Sequence, residues 1–201
     1  VCVPADWFSP ADFALAWAEA PDLMVKLVAT ASNRLIAYVE RLCAAGVDGF
    51  RIVGGEYVTV QLGHGAFAKL IEPFDRPLIE VMQRNGAIAY YHNHGRVMGF
   101  MEELASLGMD ALDPLEAPPW GDVADLGEAR GLAGDRLCLV GNLDDMEIVN
   151  ALPEDEVIEI ARDRLRQAGP AAFILGGTAS GTYTEHGARN FIAMARMVAR
   201  G

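Results

Sequence analysis

Five times along this chain a short apolar run is coupled to a longer stretch whose apolar residues recur at helical spacing. That serial order constrains the fold more than any single residue does. The runs are Asp48–Val53, Ala87–Tyr91, Asp110–Leu115, Leu137–Val140 and Ala172–Leu175. Asp22–Ala45 leads into the first of them, with Leu23, Leu27, Leu35, Val39 and Leu42 returning to one face before Gly46 ends the helix. The other helical stretches are one reaching Arg84 after a connection carrying Pro73 and Pro77, then Arg96–Leu107, Leu126–Gly134, Glu154–Ala168 and Ala188–Arg200. Apolar strands alternating with amphipathic helices predict an α/β fold with a parallel sheet covered by helices. Two architectures satisfy this pattern. One is a doubly wound five-stranded sheet; the other is a truncated (β/α)8 TIM-type barrel. A whole barrel takes about 250 residues, so 201 residues without an initiator Met favour a single truncated barrel domain over 1–201, its N-terminal part missing.

Composition narrows the function classes. The chain is 52% hydrophobic and 22% charged, enough for a sizeable core and unlike a disordered segment. Sixteen Lys and Arg against 28 Asp and Glu leave a net charge of −12, which argues against a nucleic-acid partner. No apolar run approaches the roughly 18–20 residues of a membrane span, and the N-terminus lacks a signal-peptide pattern. Cys2, Cys43 and Cys138 lie far apart, without metal-binding spacing. They read as reduced thiols, Cys43 and Cys138 in apolar patterns, and the expected location is the cytoplasm.

Polar residues gather where the strands end, which is where parallel α/β folds build their sites. The first strand leads to Glu56 and Tyr57, the second to His92-Asn93-His94-Gly95, and the third to Asp113 and Glu116. The fourth leads to Asn142, Asp144 and Asp145, the fifth to Thr178 and Ser180. In an extended strand His92 and His94 point to one face, so both imidazoles can meet one cavity. Two readings stay open: a zinc site completed by Glu56, Glu116 or Asp144, or a hydrogen-bonded pair lining the cavity. Glu56 and Glu116 are candidate acids or bases, the latter in a loop stiffened by Pro114, Pro118 and Pro119. Asn142 can both donate and accept. Arg96 can grip a substrate carboxylate, whereas Arg51 is free to point outward from its strand. Gly176–Gly181 can cradle an anion but matches no nucleotide motif. His64 and His186 read as surface histidines.

The runs Tyr91-His92-Asn93-His94-Gly95-Arg96-Val97, Leu107–Glu116 and Gly141-Asn142-Leu143 together resemble the uroporphyrinogen decarboxylase superfamily. Ala45–Asp48, Gly54–Tyr57, Phe173–Leu175 and Arg189–Phe191 support the likeness. It implies a (β/α)8 barrel of which this chain is the C-terminal two-thirds. It also implies one of two reactions. The superfamily's thiol methyltransferases hold zinc on a His-x-Cys pair and a later Cys; here His92 matches the His, His94 replaces the Cys, and Gly177 or Thr178 falls near the later Cys. Methyl transfer would use a corrinoid, carried by a partner protein, as co-substrate. The decarboxylases need no cofactor, protonating a pyrrole carbon before CO₂ leaves. Either way the substrate is a small molecule, and a homodimer is compatible with both. The histidine pair tilts the reading slightly towards metal-assisted methyl transfer, with uroporphyrinogen-type decarboxylation second and a non-catalytic tetrapyrrole- or corrinoid-partner-binding barrel third. Metal ligation falls to His92 and His94, catalysis to Glu56, Glu116 and Asn142, and substrate contact to Tyr57, Arg96, Asp144, Thr178 and Ser180.

Overall fold

A computed structural model of the chain describes residues 7–170, 172–178 and 182–199. Five parallel strands, β1 (Gly49–Val53), β2 (Ile88–His92), β3 (Ala111–Asp113), β4 (Cys138–Leu143) and β5 (Phe173–Gly177), lie side by side in sequence order. This order decides between the two architectures. A doubly wound sheet reverses direction at a switch point. Here each crossover moves one strand further the same way, and right-handed crossovers then put every connecting helix on one face. The result is an arc of a barrel-type α/β sheet.

The helices are α1 (Pro10–Glu19), α2 (Pro21–Ala44), α3 (Glu56–Thr59), α4 (His64–Leu70), α5 (Glu72–Arg84), α6 (Met101–Ser106), α7 (Leu126–Ala133), α8 (Glu154–Ala168) and α9 (Glu185–Val198). Helix α1 lies outside the expected pattern; its start is set by Ser9, whose hydroxyl accepts from the Asp12 N–H. The long connection after β1 contains α3 and α4, and α5 begins before Pro73, holding Pro77 inside it. Helix α9 starts three residues before the expected Ala188, because the Thr184 side chain accepts from the Gly187 N–H and caps it there. Strand β3 is shorter than Asp110–Leu115, while β4 runs on through Gly141-Asn142.

The two sheet faces differ sharply. Ala89, Tyr91 and Asn93 alternate on one face and are all 0% exposed, packed towards the helices with Ile79, Met82, Leu104, Leu112 and Leu139. On the other face Ile88 and Ile174 are 56% exposed and Val53 is 50% exposed, so this face lacks a covering layer among the described residues. A second cluster, Leu143, Val149, Val157, Ala161 and Met194, seats α8 and α9 beneath the end of β4. Cys43 and Cys138 are free thiols, as expected, but half-buried rather than deep in the core, and Cys2 lies outside the described residues.

One buried polar pair ties strand to helix. Asp75 of α5 is 0% exposed, and Oδ2 accepts the Tyr91 hydroxyl at 2.7 Å. Removing that donor takes one hydrogen bond from a buried carboxylate. Tyr91→Phe should therefore lower stability by about 1–3 kcal/mol, read in urea unfolding as a lower midpoint at unchanged slope.

Candidate active site

Strand β2 carries the site because its alternation separates two kinds of chemistry. Tyr91 and Asn93 face the helices, and Tyr90, His92 and His94 face the other way. Asn93 locks the strand end: its Nδ2 donates to Thr59 Oγ1 at 2.9 Å and its backbone N–H to Asp113 O at 2.7 Å. Gly55 has to be glycine for this lock, since a Cβ there would lie 2.1 Å from Asn93 Oδ1.

The register pairs His92 with Asp113 and Arg51 with Tyr90. Asp113 is 5% exposed and is the hub of the inner part of the site. Arg51 Nη2 donates to Asp113 Oδ2 at 2.8 Å, and His92 Nδ1 lies 3.0 Å from Oδ1. Arg51 Nη2 is also 2.7 Å from His92 Nδ1. One ring nitrogen cannot accept from the guanidinium and donate to the carboxylate together. In the neutral ring, donation to Asp113 leaves Nε2 as an acceptor, whereas acceptance from Arg51 puts the proton on Nε2. Burial pushes the Asp113 carboxyl up, but His92 and the Arg51 charge outweigh it and hold the group below the usual carboxylate range. Tyr90 lies against the same carboxylate; burial first, then the Asp113 charge and hydrogen bonding, push its phenol well up and keep it neutral.

The outer part is built on His94, whose ring centroid is 4.4 Å from that of His92, edge to face. Its Nδ1 lies 3.0 Å from Glu116 Oε1, and Glu116 Oε2 accepts the Gly95 N–H at 2.8 Å. The hydrogen bond to Glu116 raises the His94 pKa against the opposing effect of burial, and Glu116, Glu56 and Asp113 add favourable charge. Glu116 moves the other way: burial pushes it up, yet the His94 and Gly95 hydrogen bonds and the nearby positive charge bring it below its ordinary value. The two shifts run in opposite directions, and both favour the ion-paired form of imidazolium with carboxylate.

Glu116 owes its position to its loop. Val123 N–H donates to Glu116 O at 3.0 Å, Asp122 caps Val97 and Met98, and Asn142 Nδ2 donates to the carbonyls of Leu115 and Val123. Beyond His94 opens a cleft of 370 Å³ lined by His94, Glu116, Trp120, Thr178 and the run Asp144-Asp145-Met146-Glu147. Asp145 accepts the Tyr183 hydroxyl at 3.1 Å, and burial with the Asp145 charge pushes that phenol up to about 12. Gly177 makes room for this contact, since a Cβ there would lie 1.8 Å from Asp145 Oδ1.

The structure thus brings together His92, His94, Glu116, Asp144 and Thr178. Glu56 opens α3 with Oε2 buried and unpartnered among the described residues, near enough for its charge to act on His94. Asn142 is 2% exposed and braces the Glu116 loop rather than facing the cleft. Tyr57 turns away too, its hydroxyl donating to Phe8 O at 3.3 Å and its ring packed on Phe13. Arg96 is exposed, and Ser180 lies outside the described residues. His64 and His186 are engaged at the surface, with Glu103 and Leu152 O respectively. Tyr90 is the site member that sequence reasoning passes over, while it leaves Arg51 free to point outward and gives Asp145 only as a strand-end acid; the available signal is an arginine and a tyrosine at neighbouring positions of otherwise apolar strands. Among the described residues no three His, Cys, Asp or Glu side chains form a group able to hold a metal ion. The donor set falls short of the four that zinc takes.

The sequence model for uroporphyrinogen decarboxylase (URO-D) matches residues 10–200. The chain belongs to the uroporphyrinogen decarboxylase family. A uroporphyrinogen decarboxylase of Dechloromonas aromatica (strain RCB) is 28% identical over 160 residues, covering 75% of this chain and 41% of that protein. The fold matches a methyltransferase from Methanosarcina mazei with a TM-score of 0.79 at 17% identity, over 97% of this chain and 55% of that one. This family member spans about half the length of those relatives. The fold match agrees with an arc of a TIM-type barrel, and the family match extends over nearly the whole chain.

The ion pair gives a pH prediction. A histidine whose folded pKa is raised contributes stability that is complete below its unfolded value of about 6.5 and is lost as pH rises through the folded value. Glu116, lowered, contributes above its unfolded value of about 4.3, and that part is lost as pH falls through the folded value. In NMR titration His94 should stay protonated beyond the ordinary histidine range. Glu116→Gln should bring its midpoint down.

Proposed function

We propose that this family member acts by proton transfer, as a decarboxylase of a small carboxylated substrate, with His94 as the proton donor. The observation that carries this reading is the His94–Glu116 pair at the wall of the cleft, a histidine whose charged form the carboxylate favours, beside an open space. A general acid should be protonated at working pH and close to its target. His94 gives its proton to an electron-rich unsaturated carbon of the substrate, which leaves positive charge on the substrate. The bond to the carboxylate carbon then breaks, its electron pair discharges that cation, and CO₂ leaves. The product has gained the proton and lost CO₂, and water reprotonates His94. Asp144, Asp145 and Glu147 surround the cleft with negative charge, which favours a reaction that builds a cation. The 28% identity to a uroporphyrinogen decarboxylase supports the same class. An acidic cleft suits a substrate with few carboxylates better than one with many.

Methyl transfer is the second reading, with a corrinoid as co-substrate. The observation favouring it is that both imidazoles have a carboxylate on Nδ1, the arrangement that orients metal-binding histidines. Zinc on His92 and His94 would need further donors beyond those described, and no step is derived through it.

Two measurements separate the readings. CO₂ release from carboxylated pyrroles and tetrapyrroles should fall by about 10²–10⁴-fold in His94→Ala. Activity should also decline as pH rises through the His94 pKa, with that limb moved to lower pH in Glu116→Gln. Metal content per chain, on the protein and on His92→Ala/His94→Ala, is the second. About one zinc per chain, lost in the variant, with no CO₂ release from any substrate, would overturn the decarboxylase reading in favour of methyl transfer.

A further inference from the structure

We infer that Arg51, rather than Arg96, is the anchor for the substrate carboxylate, forming an anion subsite on the open face of the sheet beside Tyr90. Its substrate class rests on the decarboxylase reading. The guanidinium is held by its geometry. Nη2 is committed to Asp113 at 2.8 Å and approaches His92 at 2.7 Å, and the guanidinium carbon lies 5.7 Å from the centre of the Tyr90 ring. Nη1 and Nε have no partner among the described residues, and the side chain is 44% exposed. The guanidinium therefore presents its Nη1 and Nε donors in a fixed orientation. Nη2, which both two-pronged edges share, is taken by Asp113, so a carboxylate is held here by single charge-assisted hydrogen bonds from the free donors.

Its position suits the role. Arg51 shares the sheet face of Tyr90, His92 and His94, so a carboxylate held on it lies on the same side as the proposed proton donor, with His92 between the two. Neighbouring Val53 and Ile88 are exposed on that face and offer apolar surface to the body of the substrate. Arg96, by contrast, is exposed, and no side-chain hydrogen bond or ion pair to the described residues orients it.

The cleft and this subsite then divide the substrate by charge. The carboxylate end meets the single strand-borne cation on this face among the described residues. The carbon that becomes cationic meets the acidic cleft wall.

The test uses pyrrole-2-carboxylate and its uncharged amide, pyrrole-2-carboxamide, with binding measured by calorimetry on the protein and on Arg51→Met, Arg51→Lys and Arg96→Met. The acid should bind at least about tenfold tighter than the amide, the value of a hydrogen bond to a charged group. That preference should vanish in Arg51→Met and persist in Arg96→Met. Arg51→Lys keeps the charge but loses the fixed Nη1 and Nε donors, so it should retain a smaller preference while leaving amide affinity unchanged. This variant decides the matter if Arg51→Met does not fold. The inference is overturned if acid and amide bind alike, if Arg51→Met weakens both equally, or if the preference disappears in Arg96→Met instead. Binding is scored without turnover. An acid held through Arg51 that releases no CO₂ would therefore count against the decarboxylase reading and leave the anchor standing.

Discussion

Asp113 is a carboxylate almost wholly withdrawn from water, and the inner half of the site is arranged around keeping its charge compensated. An unpaired charge in such a position costs several kcal/mol, and breaking a buried pair typically costs about 3–5 kcal/mol. Arg51, His92 and the Tyr90 phenol converge on it from the two strands on its side, β1 and β2. Each is thereby oriented: the guanidinium is fixed in space, the imidazole has its Nδ1 committed, and the phenol is kept neutral. Without Asp113, all three side chains on the open face would lose the group that orients them.

The sheet makes that convergence possible. Because the strands follow one another in sequence order with every crossover in the same direction, all the helices lie to one side. Apolar burial is then concentrated on that side, where Tyr91, Leu112 and Leu139 sit fully enclosed. The opposite face is left to residues that interact with one another or with whatever enters. The register, which sets His92 opposite Asp113, turns this division into chemistry. A slip by one residue would send His92 and His94 into the helix layer and bring Tyr91 out.

Much of this was legible in the residues, for physical reasons that differ from element to element. Serial alternation announces parallel strands because a crossover needs a helix, and β2 reads clearly because two histidines at spacing two can only share a face. Alternation alone left a wound sheet and a barrel arc both open, since strand order is a long-range property; chain length and the family resemblance favoured the barrel, and the strand order agrees. Asn142 showed the limit of reading strand ends as site residues: its amide spans to the carbonyls of Leu115 and Val123, a contact between distant segments that no local pattern encodes. Tyr57 was misleading in the same way, because the short helix α3 rotates it onto Phe13. Arg51 was hidden for the opposite reason. A lone arginine in an apolar strand looks like a solvent-facing residue until the register sets Asp113 within its reach.

The charge balance of the chain joins these pieces. At −12 the molecule repels anions at long range, and the cleft itself is acidic. A substrate carboxylate gains little from the general field and must be recognised by a local, oriented donor. A planar guanidinium already fixed by Asp113 provides that at small entropic cost, because its side chain is ordered before the ligand arrives. The same acidic field works in favour of the proposed step, stabilising positive charge as it develops on a protonated carbon and keeping His94 charged until it gives up its proton. Binding and chemistry thus draw on opposite signs of charge within one sheet face. The imidazoles of His92 and His94, packed edge to face, stand between them.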